Sequence, residues 1–188
     1  LTRAWLLAIN IAMFGFCWGV LSNYLAIYSK EALGITGGTG TYFAILSCGL
    51  FLSRLQGRKA LRDGRLTQNA MEGMCLSLVG FILFVAVPHP VAYYLSAALI
   101  GLGNGHLYPA FLNMFVAVAR HDQRGTANSS ILTGWDLGFG IGCLLGGVVA
   151  EHWGYGAAFW MVALENACGV ALFFMAGRQF FMARKRSE

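Results

Sequence analysis

The alternation of long apolar runs and short polar segments along this chain predicts six membrane-spanning helices. A helix needs about 20 consecutive apolar residues to cross a bilayer, and each run reaches or approaches this length. The runs are apolar on all sides, whereas a surface helix of a soluble protein carries a polar face. The predicted spanning segments are residues 4–28, 37–55, 69–87, 91–119, 126–150 and 156–181.

The composition supports a polytopic membrane protein of the all-α class. Of the 188 residues, 57% are hydrophobic and 11% are charged, whereas about 25% of the residues in a soluble domain are charged. The net charge of +5 could indicate a nucleic acid partner, but the basic residues lie almost entirely on predicted turns, so none is expected. The cysteines form no Cys-x-x-Cys pair, and neither a disulfide framework nor a metal site is predicted.

The basic residues also predict the orientation in the membrane. If the N-terminus is cytoplasmic, every lysine and arginine except Lys30 lies at a cytoplasmic end of a segment. This distribution agrees with the positive-inside rule, and the opposite orientation would invert it. The protein is therefore predicted to be a multi-pass protein of the cell membrane with both termini in the cytoplasm.

The six segments divide into two sets of three at a short outer turn. Pro88 and Pro90 discourage helix formation at this point. The predicted units are residues 1–90 and 91–188 within one bundle. Because each unit crosses the membrane an odd number of times, the second is inverted relative to the first. Such 3+3 inverted repeats occur in many secondary transporters.

The fifth segment combines regularly spaced glycines with a carboxylate deep in the membrane. Glycines four residues apart share a helix face and allow another helix to pack closely in lipid; here they are Gly134, Gly138, Gly142 and Gly146. A carboxylate within a spanning helix is costly and usually faces protein, water or a ligand. Asp136 and, in the sixth segment, Glu165 are therefore candidate proton-coupling residues. The alternative for each is a neutral acid hydrogen-bonded to a neighbouring helix.

Several ordered motifs resemble the C-terminal six-helix half of a major facilitator superfamily transporter. They are Gly101-x-Gly103-x-Gly105-x3-Pro109, the turn Arg124-Gly125-x-Ala127, the glycine series through Gly146-Gly147 and the turn Gly154-Tyr155. The resemblance covers nearly the whole chain. One loop departs from the family pattern, because Leu61 stands where the family has an aspartate, although Gly57 and Gly64 keep the spacing.

The resemblance implies that twelve helices form two bundles, with the substrate near the bilayer midplane between them. The first and fourth segments would then line the cavity, the second and fifth would follow the seam between the bundles, and the third and sixth would face lipid. On the first segment the substrate-binding candidates share a helix face; they are Asn10, Phe14 and Tyr24. On the fourth segment they lie on two faces, between which the sequence does not choose: His106 with Asn113, and Asn104 with Tyr108.

His106 admits two interpretations. A lone histidine is often a packing residue, but its ring titrates near physiological pH and can bind a proton. No cluster of ligands accompanies it, so no metal site is predicted. The predicted function is secondary active transport by alternating access, with a small organic solute exported in exchange for protons. The expected partners are that solute, protons, the lipid bilayer and either an N-terminal six-helix half or a second copy of the chain.

Other classes of membrane protein fit the sequence less well. An intramembrane serine protease would need a Gly-x-Ser nucleophile, which does not occur. A channel remains an alternative to the carrier, but paired re-entrant motifs or rings of charge are absent. A homodimer of six-helix chains is the second alternative. No enzymatic activity and no cofactor are expected.

Overall fold

A computed structural model describes residues 4–119 and 123–185, and these residues are almost entirely helical. The helices are α1 (Trp5–Leu33), α2 (Thr39–Arg62), α3 (Leu66–Ala86), α4 (Pro90–Val118), α5 (Arg124–Trp153), α6 (Tyr155–Leu172) and α7 (Arg178–Lys185). A π-helical turn, Phe173–Gly177, joins α6 to α7 without a break. The predicted all-α class is confirmed. Most of the predicted charged turn around residues 120–122 lies outside the described residues.

Four helical stretches in the described residues are long and apolar enough to cross a membrane. They are Trp5–Leu33, Leu66–Ala86, Arg124–Trp153 and the continuous unit Tyr155–Arg184. α2 and α4 are long enough, but the C-terminal part of α2 contains three arginines and a lysine, and α4 carries glycine, asparagine and histidine. α4 can be less apolar because protein rather than lipid surrounds much of it, as its many buried residues indicate.

The connections follow from local chain signals. α1 ends where Gly34 adopts a left-handed conformation, with a φ of 65°, and its N–H bonds the carbonyl of Lys30, as glycine commonly does beyond a helix end. At the start of α4, Nδ1 of His89 accepts a hydrogen bond from the Val91 N–H at 3.2 Å, and Pro90 occupies the first turn. The predicted outer turn between the third and fourth segments therefore corresponds to the connection between α3 and α4.

The helices pack in an order that differs from their order in the sequence. α1 packs mainly on α5 and α6, whereas α4 packs mainly on α2 and α3. α3 and α6 meet, and α4 has a smaller contact with α5. Exchanging α1 with α4, α2 with α5 and α3 with α6 reproduces the main contacts, although the smaller contact between α4 and α5 has no equally large counterpart between α1 and α2. The first and fourth helices are thus each inserted among helices of the other unit.

Glycines allow the closest of these contacts. On α5, a Cβ atom at Gly138 or Gly142 would overlap the carbonyl groups of Ala12 and Phe16 on α1. In return, Gly15 of α1 lies against the backbone of α5. α4 is held in the same way, because Gly101 faces the backbone of α2 and Gly103 faces that of α3.

Aromatic side chains fill one end of the bundle. Tyr28, Tyr42, Phe84, Tyr93 and Phe159 are all buried and form what we call the aromatic core. The ring centroids of Tyr42 and Tyr93 are 4.6 Å apart, and those of Phe84 and Phe159 are 4.7 Å apart. These rings belong to α1, α2, α3, α4 and α6, so the aromatic core ties five helices together.

Replacing Phe84 with alanine is expected to lower the free energy of unfolding by about 2 kcal/mol. The unfolded helices would remain in lipid, which is as apolar as the core, so most of this loss comes from the cavity left behind. Thermal unfolding in detergent measures the effect. Val79→Ala, at a position on the same helix that is 54% exposed, is the control and should change little; equal losses in both variants would contradict the role of the aromatic core.

Candidate functional site

Two candidates on α1 lie inside the bundle rather than on an open surface. Asn10 is fully buried, and its Nδ2 donates a hydrogen bond to the carbonyl of Gly169 on α6 at 2.9 Å. Phe14 is 1% exposed and lies against the same Gly169. Both side chains therefore occupy the contact between α1 and α6.

The third candidate on α1 joins neighbouring helices. The hydroxyl of Tyr24 donates a hydrogen bond to the carbonyl of Cys143 on α5 at 2.7 Å. Its ring lies 5.9 Å from that of Tyr155 at the start of α6. Tyr24 thus links α1 to both α5 and α6, and its hydroxyl is occupied by this contact.

The structure places His106 against α2 and α3. Its Nδ1 is 3.0 Å from Oδ1 of Asn69, and Nδ2 of Asn69 donates to the His106 carbonyl at 3.0 Å. A Cβ atom at Gly57 of α2 would lie 3.1 Å from the same Nδ1. The ring borders a cleft of ≈ 330 Å³ that Arg65 and Glu72 also line, at the ends of α2 and α3.

The remaining candidates on α4 differ in exposure. Asn104 is 3% exposed, and its Nδ2 bonds the Ile100 carbonyl of its own helix. Asn113 is exposed, and its Nδ2 donates to the carbonyl of Pro109 one turn earlier at 2.7 Å. Tyr108 is half-buried and faces α5, where its ring lies 5.5 Å from that of Trp135 at a right angle.

The four glycines of α5 and the carboxylate lie on opposite faces of that helix. Gly134, Gly138, Gly142 and Gly146 are buried against α1. The other face is exposed at Leu132, Asp136, Gly140 and Leu144. The glycines therefore contact a helix of the same bundle, and Asp136 points away from it.

Asp136 lies beside a group of aromatic rings. Trp135 is 6.1 Å from Trp18 of α1 and 5.5 Å from Tyr108 of α4, measured between ring centroids. Asp136 follows Trp135 directly and lies within electrostatic range of Tyr108. We call these four residues the aromatic–carboxylate cluster. They come from α1, α4 and α5, at the point where the three helices meet.

The second acidic candidate has a different environment. Glu165 is half-buried on α6 and lies near Cys17 of α1. The next residue, Asn166, is fully buried and donates a hydrogen bond to Oγ of Ser77 on α3 at 3.1 Å. Glu165 is thus associated with the packing of α1, α3 and α6 rather than with the aromatic–carboxylate cluster.

Sequence reasoning did not select Trp18 and Trp135 as site residues. Tryptophan is enriched at membrane surfaces, and both residues lie well inside predicted spanning segments. That unusual depth is the signal that could have identified them. Asn69, which holds His106, was also not selected, since its contact depends on how α3 packs on α4.

Comparison with known proteins agrees with this architecture. A family model described as Major Facilitator Superfamily matches residues 64–187. An uncharacterized MFS-type transporter of Burkholderia mallei (strain SAVP1) is 33% identical over 103 residues, covering 55% of this chain and 25% of that protein. The multidrug resistance protein MdtG of Klebsiella pneumoniae (strain 342) is 29% identical over 170 residues, covering 87% of this chain and 40% of that protein.

Solved transporter structures share the fold. A mutant of the peptide transporter POT in complex with alafosfalin superposes with a TM-score of 0.78 at 21% identity, covering 94% of this chain and 38% of that chain. The POT family transporter PepTSo gives a TM-score of 0.78 at 16% identity, covering 94% and 37%. At these identities the likeness concerns the fold alone. The chain spans less than half the length of each of these proteins.

Proposed function

Because the family model matches more than half of it, the chain belongs to the major facilitator superfamily, and from this premise we propose that it is the C-terminal half of a secondary active transporter. It is a multi-pass membrane protein of a family of transporters. The proposed activity is alternating access, in which a small organic solute leaves the cell in exchange for protons. The proposed partner is a second six-helix bundle within the same full-length protein.

The packing order supports six crossings arranged as a 3+3 inverted repeat, with units 1–90 and 91–188. The exchange of α1 with α4, α2 with α5 and α3 with α6 preserves the main packing partners of the helices. A two-fold axis in the membrane plane has this effect. With this arrangement, the positive-inside distribution assigns both termini to the cytoplasm.

The exposed Asp136 is the observation that carries the proposal. A carboxylate in the middle of a spanning helix costs several kcal/mol when it faces lipid, and Asp136 lies on the face of α5 that this bundle leaves uncovered. That face must therefore adjoin water or protein. A water-filled cavity between two bundles provides this environment, and the carboxylate can then take up and release the coupled proton.

We assign the seam between the bundles to the exposed face of α5, since its glycine face is occupied by α1. α1 and α5 would then move as one body, with the aromatic–carboxylate cluster on the cavity wall. Asn10, Phe14, Asn104 and Tyr24 are packing positions in this proposal. His106, facing α2 and α3, lies outside the cavity wall, and Asn113 stays a candidate because it is exposed.

A solute panel tests the proposal in the full-length protein. Proteoliposomes that contain a pH-sensitive dye are exposed to cationic, zwitterionic, neutral and anionic small solutes in turn. We expect at least one class to cause proton movement that saturates with solute concentration and is absent from protein-free liposomes. Flux that rises without saturation would indicate a channel, and the lack of any solute-dependent flux across the panel would contradict transport.

A further inference from the structure

The aromatic–carboxylate cluster has a composition that favours one charge class of solute. Trp18, Tyr108 and Trp135 are each only partly buried, in contrast to the fully packed aromatic core. Nε1 of Trp18 is buried and has no hydrogen-bond partner among the described residues. Since nitrogen is the one heteroatom of an indole, the part of this ring that remains exposed is carbon.

The described parts of α1, α4 and α5 place no lysine or arginine near Asp136. Neither α4 nor the part of α5 after Arg124 contains a lysine or arginine, and the only one in α1 is Lys30 near its end. Arg124 and Asp136 are twelve residues apart on α5, which is about 18 Å at helical rise. The charge of Asp136 must therefore be balanced from outside this set of helices, by a proton or by another positive group.

Aromatic faces beside a carboxylate provide the environment that binds organic cations. The ring quadrupole attracts a positive charge over the ring face, most strongly for tryptophan. The carbon faces of the neighbouring rings are less polarisable by reorientation than water, so the attraction between a cation and Asp136 is stronger than in bulk water. An anionic solute would meet repulsion from both the carboxylate and the ring faces.

We propose that the solute is an organic cation with an apolar or aromatic body, which lies against Trp18, Tyr108 and Trp135 with its charge at Asp136. This inference rests on the proposed function. It also gives the exchange a physical basis, because one carboxylate can be balanced by a proton or by the cationic solute, but not by both at once. Arrival of the solute would release the proton, and arrival of a proton would release the solute.

A matched pair of probes tests the charge class. Phenyltrimethylammonium carries a permanent positive charge on an aromatic body, and benzenesulfonate carries a negative charge on a body of similar size. In proteoliposomes of the full-length protein, we expect the cation to cause saturable proton movement and the anion to cause none. Proton movement driven only by benzenesulfonate or by neutral solutes would overturn the inference but would still support the transport function. The absence of proton movement with every solute of the panel would contradict both.

A ring deletion tests the position of the solute. Trp135→Leu is expected to raise the half-saturating concentration of phenyltrimethylammonium by about 5-fold to 10-fold. Trp160→Leu is the matched control, since Trp160 is a tryptophan of α6 that is 53% exposed and lies outside the cluster. If Trp135→Leu does not give a monodisperse protein, Tyr108→Leu is measured in the same way. A half-saturating concentration that equals that of the Trp160 variant would overturn the proposed position.

Discussion

A leucine at Gly138 is expected to prevent α1 and α5 from packing, with a loss of more than about 3 kcal/mol of unfolding free energy. A Cβ atom at this position would overlap the carbonyl of Ala12, and the atoms in the way belong to backbone that cannot rotate aside. The two helices would have to separate along their contact, which gives up dispersion contacts that lipid replaces poorly. The yield of monodisperse protein and thermal unfolding in detergent measure the effect.

Gly140→Leu is the matched control, because it changes the same residue type two positions along the same helix. Gly140 is exposed, and a Cβ atom there would have no neighbour within 4 Å in this bundle. We expect its unfolding to remain close to wild type. Its transport should nevertheless fall, since a leucine would intrude on the proposed seam. Equal instability in the two variants would contradict the assignment of opposite faces of α5 to packing and to the seam.

The positions of the helices could be predicted because the length of an apolar run is a local property. The residues at which the helices end could not be predicted from apolarity alone. α2 continues through Arg62, beyond the predicted end at residue 55, since arginine, lysine, glutamine and leucine are good helix formers in water as well. In contrast, the two prolines around His89 identified a turn, because proline acts on the backbone directly.

The partners of the helices could be predicted less completely. The four-residue spacing on α5 indicated a close contact, but not that α1 would make it. That choice depends on Gly15 and Gly19 of α1, which face the backbone of α5 in return. A pairing between two helices is decided by both surfaces and by the other helices that compete for them, so one helix face does not determine it.

The sequence could not decide which face of α4 its polar residues present to which neighbour, because this depends on how α4 is rotated within the bundle. Gly101 fixes one face against α2, and Gly103 fixes another against α3. His106 then lies where α2 and α3 meet α4, and Tyr108 lies towards α5. Asp136 could be selected as a candidate from sequence because a carboxylate within an apolar run is unusual by itself. Trp18 joins the aromatic–carboxylate cluster only through its contact with Trp135.

Asp136→Asn is expected to abolish solute movement driven by a proton gradient while leaving exchange of solute for solute. The amide has nearly the same shape as the carboxylate but cannot bind and release the coupled proton. Exchange persists because the rest of the cavity wall is unchanged, although the half-saturating concentration of a cationic solute should rise when the negative charge is lost. Both activities are measured in proteoliposomes of the full-length protein, with and without an imposed pH gradient.

Glu151→Gln provides the control for Asp136→Asn on the same helix. Glu151 is an exposed acid near the end of α5, where water solvates its charge, so neutralising it should leave both activities close to wild type. The comparison separates the loss of the carboxylate at the middle of α5 from a general change in charge. Proton-driven movement that survives in Asp136→Asn would exclude this carboxylate as the coupling site and would leave Glu165, the second acidic candidate, as the next residue to replace.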